Sequence, residues 1–146
     1  MNAADFDLSH FLEAQENSYP VALKEIRLGR KVSHWIWYIF PQLRSLGLSS
    51  TSEKYGLSGL AEARTFLAHP ILGARLREST EAMLAHPKLS AHSVLGELDA
   101  AKFRSCLTLF VLAEPSEQVF RVALQRFFAA APDPKTIELL GARGEA

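Results

Sequence analysis

Apolar positions recur at helical spacing along most of the chain, and the breaks between them fall at Gly, Pro and Ser. Leu8, Phe11, Leu12 and Ala14 share one side of a first helix, which Asp7 is placed to cap. Pro20 suits the first position of a second helix carrying Leu23 and Ile26, and Gly29 is placed to stop it. Ser58 precedes a helix holding Leu60, Ala63, Phe66 and Leu67. Pro70 opens another with Leu72, Leu76 and Met83 on one face, and Pro87 closes off its continuation. Ser90 begins a short turn of helix through Leu95, and Gly96 breaks it. The strongest amphipathic segment follows, with Asp99 near its start: Phe103, Cys106, Leu107, Phe110 and Val111 obey the i, i+3, i+4, i+7, i+8 rule and predict a core helix. Pro115 and Ser116 start a helix whose Val119, Phe120, Ala123, Leu124, Phe127 and Phe128 point inward. Asp133-Pro134 begins a last one, which Gly141 ends.

Two stretches do not follow this pattern. Ser33 to Phe40 is aromatic and β-branched, and its periodicity reads equally well as a buried strand or a helix. Arg44 to Gly59, rich in Ser and Gly, is too interrupted for a regular element and is expected to be the longest functional loop. Ala68-His69-Pro70 and Ala85-His86-Pro87 share a helix-ending phrase without forming a repeat. The expectation is an all-α fold: about seven helices in one compact bundle, residues 1–146 forming a single domain.

Composition narrows the function classes. With 48% hydrophobic and 22% charged residues over 146 positions, the chain is neither disordered nor collagen-like. A lone cysteine, Cys106, cannot form an internal disulfide, and the amino end lacks a charged-then-apolar leader, so a cytoplasmic location is expected. The longest apolar stretch, Trp35 to Pro41, is far too short to span a bilayer. Sixteen Lys plus Arg balance sixteen Asp plus Glu, so neither nucleic acid nor a membrane is an evident partner. Position matters more than the total. Residues 1–18 carry Asp5, Asp7, Glu13 and Glu16 with no basic side chain, whereas residues 19–44 carry Lys24, Arg27, Arg30, Lys31 and Arg44 against Glu25 alone. That basic excess could receive an anion or face the acidic first segment.

Familiar catalytic motifs are absent. There is no P-loop or G-x-G-x-x-G cradle, and Gly56-Leu57-Ser58-Gly59-Leu60 misses a nucleophile elbow because its second Gly comes one place early. The five histidines make no i, i+4 zinc pair, and one cysteine supplies no thiolate site, so neither a metal nor a cofactor is implied. Ser33 and His34 are adjacent, which on a helix turns them about 100° apart and denies them a nucleophile–base geometry.

Two clusters remain. In Gly29 to Tyr38, Arg30, Lys31 and His34 meet Trp35, Trp37 and Tyr38, a mixture that holds flat anions by stacking and charge. The same residues also describe a basic helix end leading into an aromatic core element. The second cluster, Asp99, Lys102, Ser105 and Cys106, lies along one side of a helix. It could orient a ligand or move protons, or it could be a surface i, i+3 ion pair. Ser105 and Thr108 inside an apolar run need hydrogen-bond partners. Gln15 and Glu25 could anchor the basic turn, and Tyr55 and Arg64 are polar positions set beside apolar ones.

Phe11-Leu12-Glu13-Ala14-Gln15, Gly29-Arg30-Lys31 and above all Ser33-His34-Trp35-Ile36-Trp37-Tyr38-Ile39-Phe40-Pro41-Gln42-Leu43 resemble the family catalogued as domain of unknown function 1810. Further likeness runs through Tyr55-Gly56, His69-Pro70, Leu95-Gly96 with Asp99, Lys102 and Ser105, to Thr108-Leu109-Phe110, covering about residues 5 to 140. The family has an all-helical mycobacterial structural prototype, so the resemblance implies helix at Trp35. It implies little chemistry. Ser105-Cys106-Leu107 stands where the pattern has a second Ser and a Met, which argues against an essential hydroxyl at 106 and leaves Ser105 untouched.

The resulting expectation is a pocket for a small anionic or nucleotide-like ligand between Lys31–Gln42 and Asp99–Ser105. Lys31, His34, Trp35, Trp37, Gln42 and Tyr55 are its binding candidates, and His34, Asp99, Lys102 and Ser105 its catalytic ones. The alternative is an interaction module whose aromatic string is core and whose 45–59 loop docks a partner. A fainter pattern, an early aromatic-Ala-Gln and a later Leu-Gly-x-x-Asp, resembles helical enzymes that process ADP-ribose adducts. Oligomeric state is not readable from the chain.

Overall fold

The computed structural model describes residues 6–142; Asp5 of the acidic first segment lies outside them. Phe11, Gln15, Tyr19, Ala22, Leu23 and Ile26 recur every three or four positions and make one buried face on a single helix, α1 (Ser9–Leu28). The two helices expected on either side of Pro20 are therefore one. Pro20 removes one internal hydrogen bond, but it stands on the exposed side, and packing of the opposite face along α5 (Leu72–Leu84) outweighs that local cost. Asp7 caps from just outside, its carboxylate accepting the Ser9 N–H at 2.9 Å.

The aromatic stretch contributes one helical turn, α2 (Ile36–Ile39). Arg44 to Gly59 is more regular than its composition predicts. It holds a 3-10 turn (Arg44–Leu46) and a short helix, α3 (Ser50–Tyr55), started by a reciprocal Ser49–Ser52 capping box. Leu43 and Leu57 close this excursion in an isolated parallel bridge, with Arg44 N–H donating to the Leu57 carbonyl at 2.8 Å.

Next come α4 (Leu60–Ala68), α5, α6 (Ala91–Leu95), α7 (Glu97–Ala113), α8 (Gln118–Phe128) and α9 (Pro134–Ala142). Two expected caps are replaced. α4 starts on Gly59, with Glu62 reaching back to the Ser58 N–H at 2.8 Å. α5 starts at Leu72 rather than Pro70, where His69 Nδ1 accepts the N–H groups of Ile71 and Leu72 at 3.1 and 3.2 Å. Gly141 lies within the last turn of α9 instead of ending it. The described residues thus form nine α-helices rather than about seven and contain no strand; α2 and α3 are short pieces that periodicity does not resolve, whereas α6 matches the short turn expected from Ser90 to Leu95.

The helices pack into a compact bundle with α7 at its centre, touching α2, α4, α6, α8 and α9. That position explains why α7 is apolar nearly all round: Ala100, Phe103, Cys106, Leu107, Leu109 and Phe110 are all fully enclosed. Phe11, Phe66, Phe110 and Phe120 form a chain of tilted and edge-on ring contacts through the core. Among the described residues no helix is long and apolar enough to cross a membrane.

Candidate functional site

The basic aromatic turn is organised by one carboxylate. Gly29 ends α1 with φ +84°, in the left-handed region where a side chain is strained. The chain then folds back over Glu25. Glu25 Oε1 accepts the N–H groups of Val32 (2.8 Å) and Ser33 (2.9 Å) and the Trp35 indole N–H (2.9 Å), while Oε2 accepts the Ser33 hydroxyl (2.6 Å). Desolvation works to raise the Glu25 pKa, but these hydrogen bonds outweigh it and bring the carboxyl down to about 2. Gln15 steadies the next segment, donating to the Tyr38 carbonyl at 2.7 Å and accepting from Arg75 at 3.2 Å. Both residues are structural anchors.

The consequence is a sorting of the aromatic string. Trp35 is 1% exposed with its indole N–H held by Glu25, so it is core and not a stacking wall. His34 points to solvent, and its carbonyl accepts the Tyr38 hydroxyl at 3.2 Å. Tyr55 packs against His10, Phe11 and Tyr38, away from the cavity described below.

Lys31 links the turn to α7. Its N–H donates to the Val94 carbonyl at 2.7 Å, and its Nζ lies 2.8 Å from Asp99 Oδ2 with a side chain only 8% exposed. Asp99 Oδ1 also accepts Lys102 Nζ at 3.2 Å, and Lys102 sits over the Trp37 ring at 4.8 Å. Two ammonium groups share one carboxylate, which leaves one positive charge uncompensated beside an indole face. Of the other basic side chains of residues 19–44, Arg27 lies near Glu78 and Arg44 near Glu62, and among the described residues no ion pair reaches them from Asp7, Glu13 or Glu16.

Trp37 and Lys102 line a cavity of about 490 Å³, with Gln42, Ser105, Phe128 and Lys135 among its other walls. Gln42 is buried, yet its carboxamide, like the Trp37 indole N–H, has no hydrogen-bond partner among the described residues. Ser105 is engaged differently: its hydroxyl contacts the Ala101 carbonyl and Asp133 Oδ2, each at 3.1 Å. Asp133 in turn caps α9 through the Thr136 N–H and hydroxyl, and its own N–H donates to Thr108 Oγ1 at 2.8 Å. The two buried hydroxyls of α7 therefore seat the start of α9. Buried Cys106 faces the core, and its thiol pKa is raised by desolvation.

Of the residues singled out in the sequence, the structure brings Trp37, Gln42, Lys102 and Ser105 to one cavity. Asp99 stands one contact behind Lys102 and Lys31 one further, and His34, Trp35 and Tyr55 stand elsewhere. Sequence reasoning did not single out His92, Glu97, Arg104, Phe128, Asp133 and Lys135, which also line the cavity. Asp133-Pro134 was legible as a helix start; nothing local to it points at Ser105. Among the described residues, no group of three or more His, Cys, Asp or Glu side chains could hold a metal ion.

A family model described as "Protein of unknown function (DUF1810)" matches residues 5–140. The chain is also similar to the conserved hypothetical protein Rv1873 from Mycobacterium tuberculosis, whose crystal structure was determined at 1.38 Å. The two share 39% identity over 94% of this chain and 98% of that one, with a TM-score of 0.92. No curated protein matches.

Proposed function

The chain belongs to the DUF1810 family, whose description names no activity, and from its own residues we propose that it is a single-domain cytoplasmic protein that binds a small anionic, nucleotide-like ligand in the cavity beside Lys102. Lys102 meets the anion, the Trp37 face stacks on the flat ring, and the Gln42 carboxamide hydrogen-bonds its edge. One observation carries the reading: an ammonium in charge excess, an indole N–H and a buried carboxamide without partners all line one hollow. Neither group is sealed from solvent: among the described residues the fully buried side-chain polar atom without a partner is Ser79 Oγ, which does not line this hollow, so the carboxamide and the indole N–H stay free to meet a ligand. The geometry favours binding over hydrolysis, because Ser105 is committed to Asp133 and His34 is outside the cavity.

The test is a thermal-shift and calorimetric series with adenosine 5′-monophosphate, adenosine and inorganic phosphate. The monophosphate should raise the melting point more than either fragment, since a ligand that binds only the folded form stabilises it. Lys102→Met should weaken monophosphate binding about 10- to 100-fold, the range set by a charge-assisted hydrogen bond of about 1.5–3 kcal/mol. No shift with the monophosphate, or equal shifts in wild type and Lys102→Met, rejects the reading. ADP-ribose in the same series extends the test to the third reading. A docking role is favoured by one feature, the fully exposed Leu48 between the 3-10 turn and α3. Under that role Leu48→Ser would abolish capture of a partner and leave the ligand series unchanged.

A further inference from the structure

A second hollow, about 370 Å³, lies between α7, α8 and α9 and shares no lining residue with the first. Its walls are Val111 and Leu112 from α7, Leu124 from α8, Pro132 from the linker and Ile137 from α9. These side chains are unevenly covered. Val111 and Leu112 are half-buried, and Ile137 is exposed. Thr108 lines it too, but its hydroxyl already donates to the Arg104 carbonyl at 2.8 Å and accepts the Asp133 N–H, so little is left to bind water there.

The linker between α8 and α9 explains why the hollow stays open. Ala129 and Ala130 both have positive φ, 53° and 64°, a conformation that residues with a Cβ rarely adopt. Arg104 fastens the next two residues, donating to the carbonyls of Ala131 at 2.8 Å and Pro132 at 3.0 Å. Ala129 is the left-handed cap that ends α8, and the clamped linker holds α9 in a position that leaves these apolar walls uncovered. Strain of this kind collects at ligand sites. Charge then selects the head group: Arg121 is the one ionisable residue among the lining residues. Its fork donates to the Pro115 carbonyl and has further N–H groups to offer.

We propose that this hollow is a second binding site, for a small amphiphile with an aliphatic body and a carboxylate head at Arg121. The probe is sodium decanoate, titrated calorimetrically below its micelle concentration into the full chain, with decyltrimethylammonium and 1-decanol as head-group controls. Decanoate should bind saturably with one site, at least tenfold more tightly than decyltrimethylammonium, and shift the methyl resonances of Val111, Leu124 and Ile137. Arg121→Gln should weaken decanoate about tenfold and leave decanol unchanged. Ile137→Trp should fill the hollow and abolish binding while the fold persists; Val111→Phe serves the same purpose if that variant does not fold. Equal affinity for the two charged head groups, undiminished binding in both filled variants, or resonance shifts at Trp37 instead would overturn the proposal. So would concentration-dependent dimerisation that covers the same methyl groups, since a second copy would then be the occupant.

Discussion

Glu25→Gln isolates the charge that organises the basic turn. The substitution preserves shape: an amide oxygen in the Oε1 place can still accept from Val32, Ser33 and Trp35, and the amide nitrogen faces the Ser33 hydroxyl, which can accept from it. What is lost is the charge assistance of four bonds, each roughly twice as strong to a carboxylate as to a neutral group. The magnitude follows from proton affinity. The carboxyl titrates at about 2 against an ordinary 4.5, and each tenfold change is worth about 1.4 kcal/mol, so the ceiling is about 3.4 kcal/mol. Glu25 is only half-buried, and water screens it, which brings the expected loss at pH 7 to about 1.5–2 kcal/mol. The sign of the pH dependence is set by linkage. A carboxyl depressed on folding contributes stability that is complete above its unfolded value of 4.5 and disappears as pH falls towards 2. Urea denaturation of both proteins from pH 7 to pH 3 should therefore show a gap that is constant down to about pH 5 and more than half closed by about pH 3. A gap that does not change with pH would refute the argument and assign Glu25 to packing alone.

Four further substitutions test separate parts of the structure. Asp99→Asn leaves the nearly buried Lys31 ammonium unpaired and should cost about 2–3 kcal/mol in urea denaturation; adding Lys31→Met should recover most of it. Gly56→Ala places a Cβ 2.3 Å from Arg44 Cα and 2.6 Å from the Ser52 carbonyl oxygen, both backbone, and should lower stability by about 2–3 kcal/mol, read as a fall in melting temperature. Gly96→Ala meets no neighbour within 4 Å but forces a side chain onto φ +87°, ψ 163°, and should cost about 1–3 kcal/mol from backbone strain alone. Ala129→Gly relieves about 1–2 kcal/mol of left-handed strain and adds about 0.4–1 kcal/mol of unfolded-chain entropy, so calorimetry should find it slightly more stable than wild type.

The core of the fold was legible where burial alone decides. Of the five residues that spacing assigns to the core face of α7, Phe103, Cys106, Leu107 and Phe110 have zero exposure and Val111 is half-buried, because the helix packs against neighbours on several sides. Legibility failed where a local preference met a stronger tertiary one. Pro20 looked like a helix start, yet the apolar face from Phe11 to Ile26 continues through it in register. The Ser-rich stretch hid α3, whose stability comes from its Ser49–Ser52 cap and the Leu43–Leu57 bridge rather than from an apolar stripe. Trp35 and Trp37 could not be separated from sequence either. Glu25 separates them by taking one indole N–H and not the other, and that acceptor lies ten positions upstream on a different element.

The meeting of the two clusters has a simpler origin than a dedicated pair of surfaces. Lys31 N–H bonds the Val94 carbonyl near the end of α6, and Gly96, with its positive φ, turns α6 directly into α7. Asp99 is then in the first turn of α7, five residues from the point where the basic turn is already pinned, so its carboxylate falls within reach of Lys31 Nζ. Once Lys31 has taken one oxygen, Lys102, one helical turn further along, takes the other and is held over Trp37. One backbone hydrogen bond and one glycine therefore place an ammonium, an indole and a carboxamide from stretches about sixty residues apart around a single cavity. Neither determinant is a side chain that bears chemistry, which is why candidate residues could be picked from the chain while their juxtaposition could not.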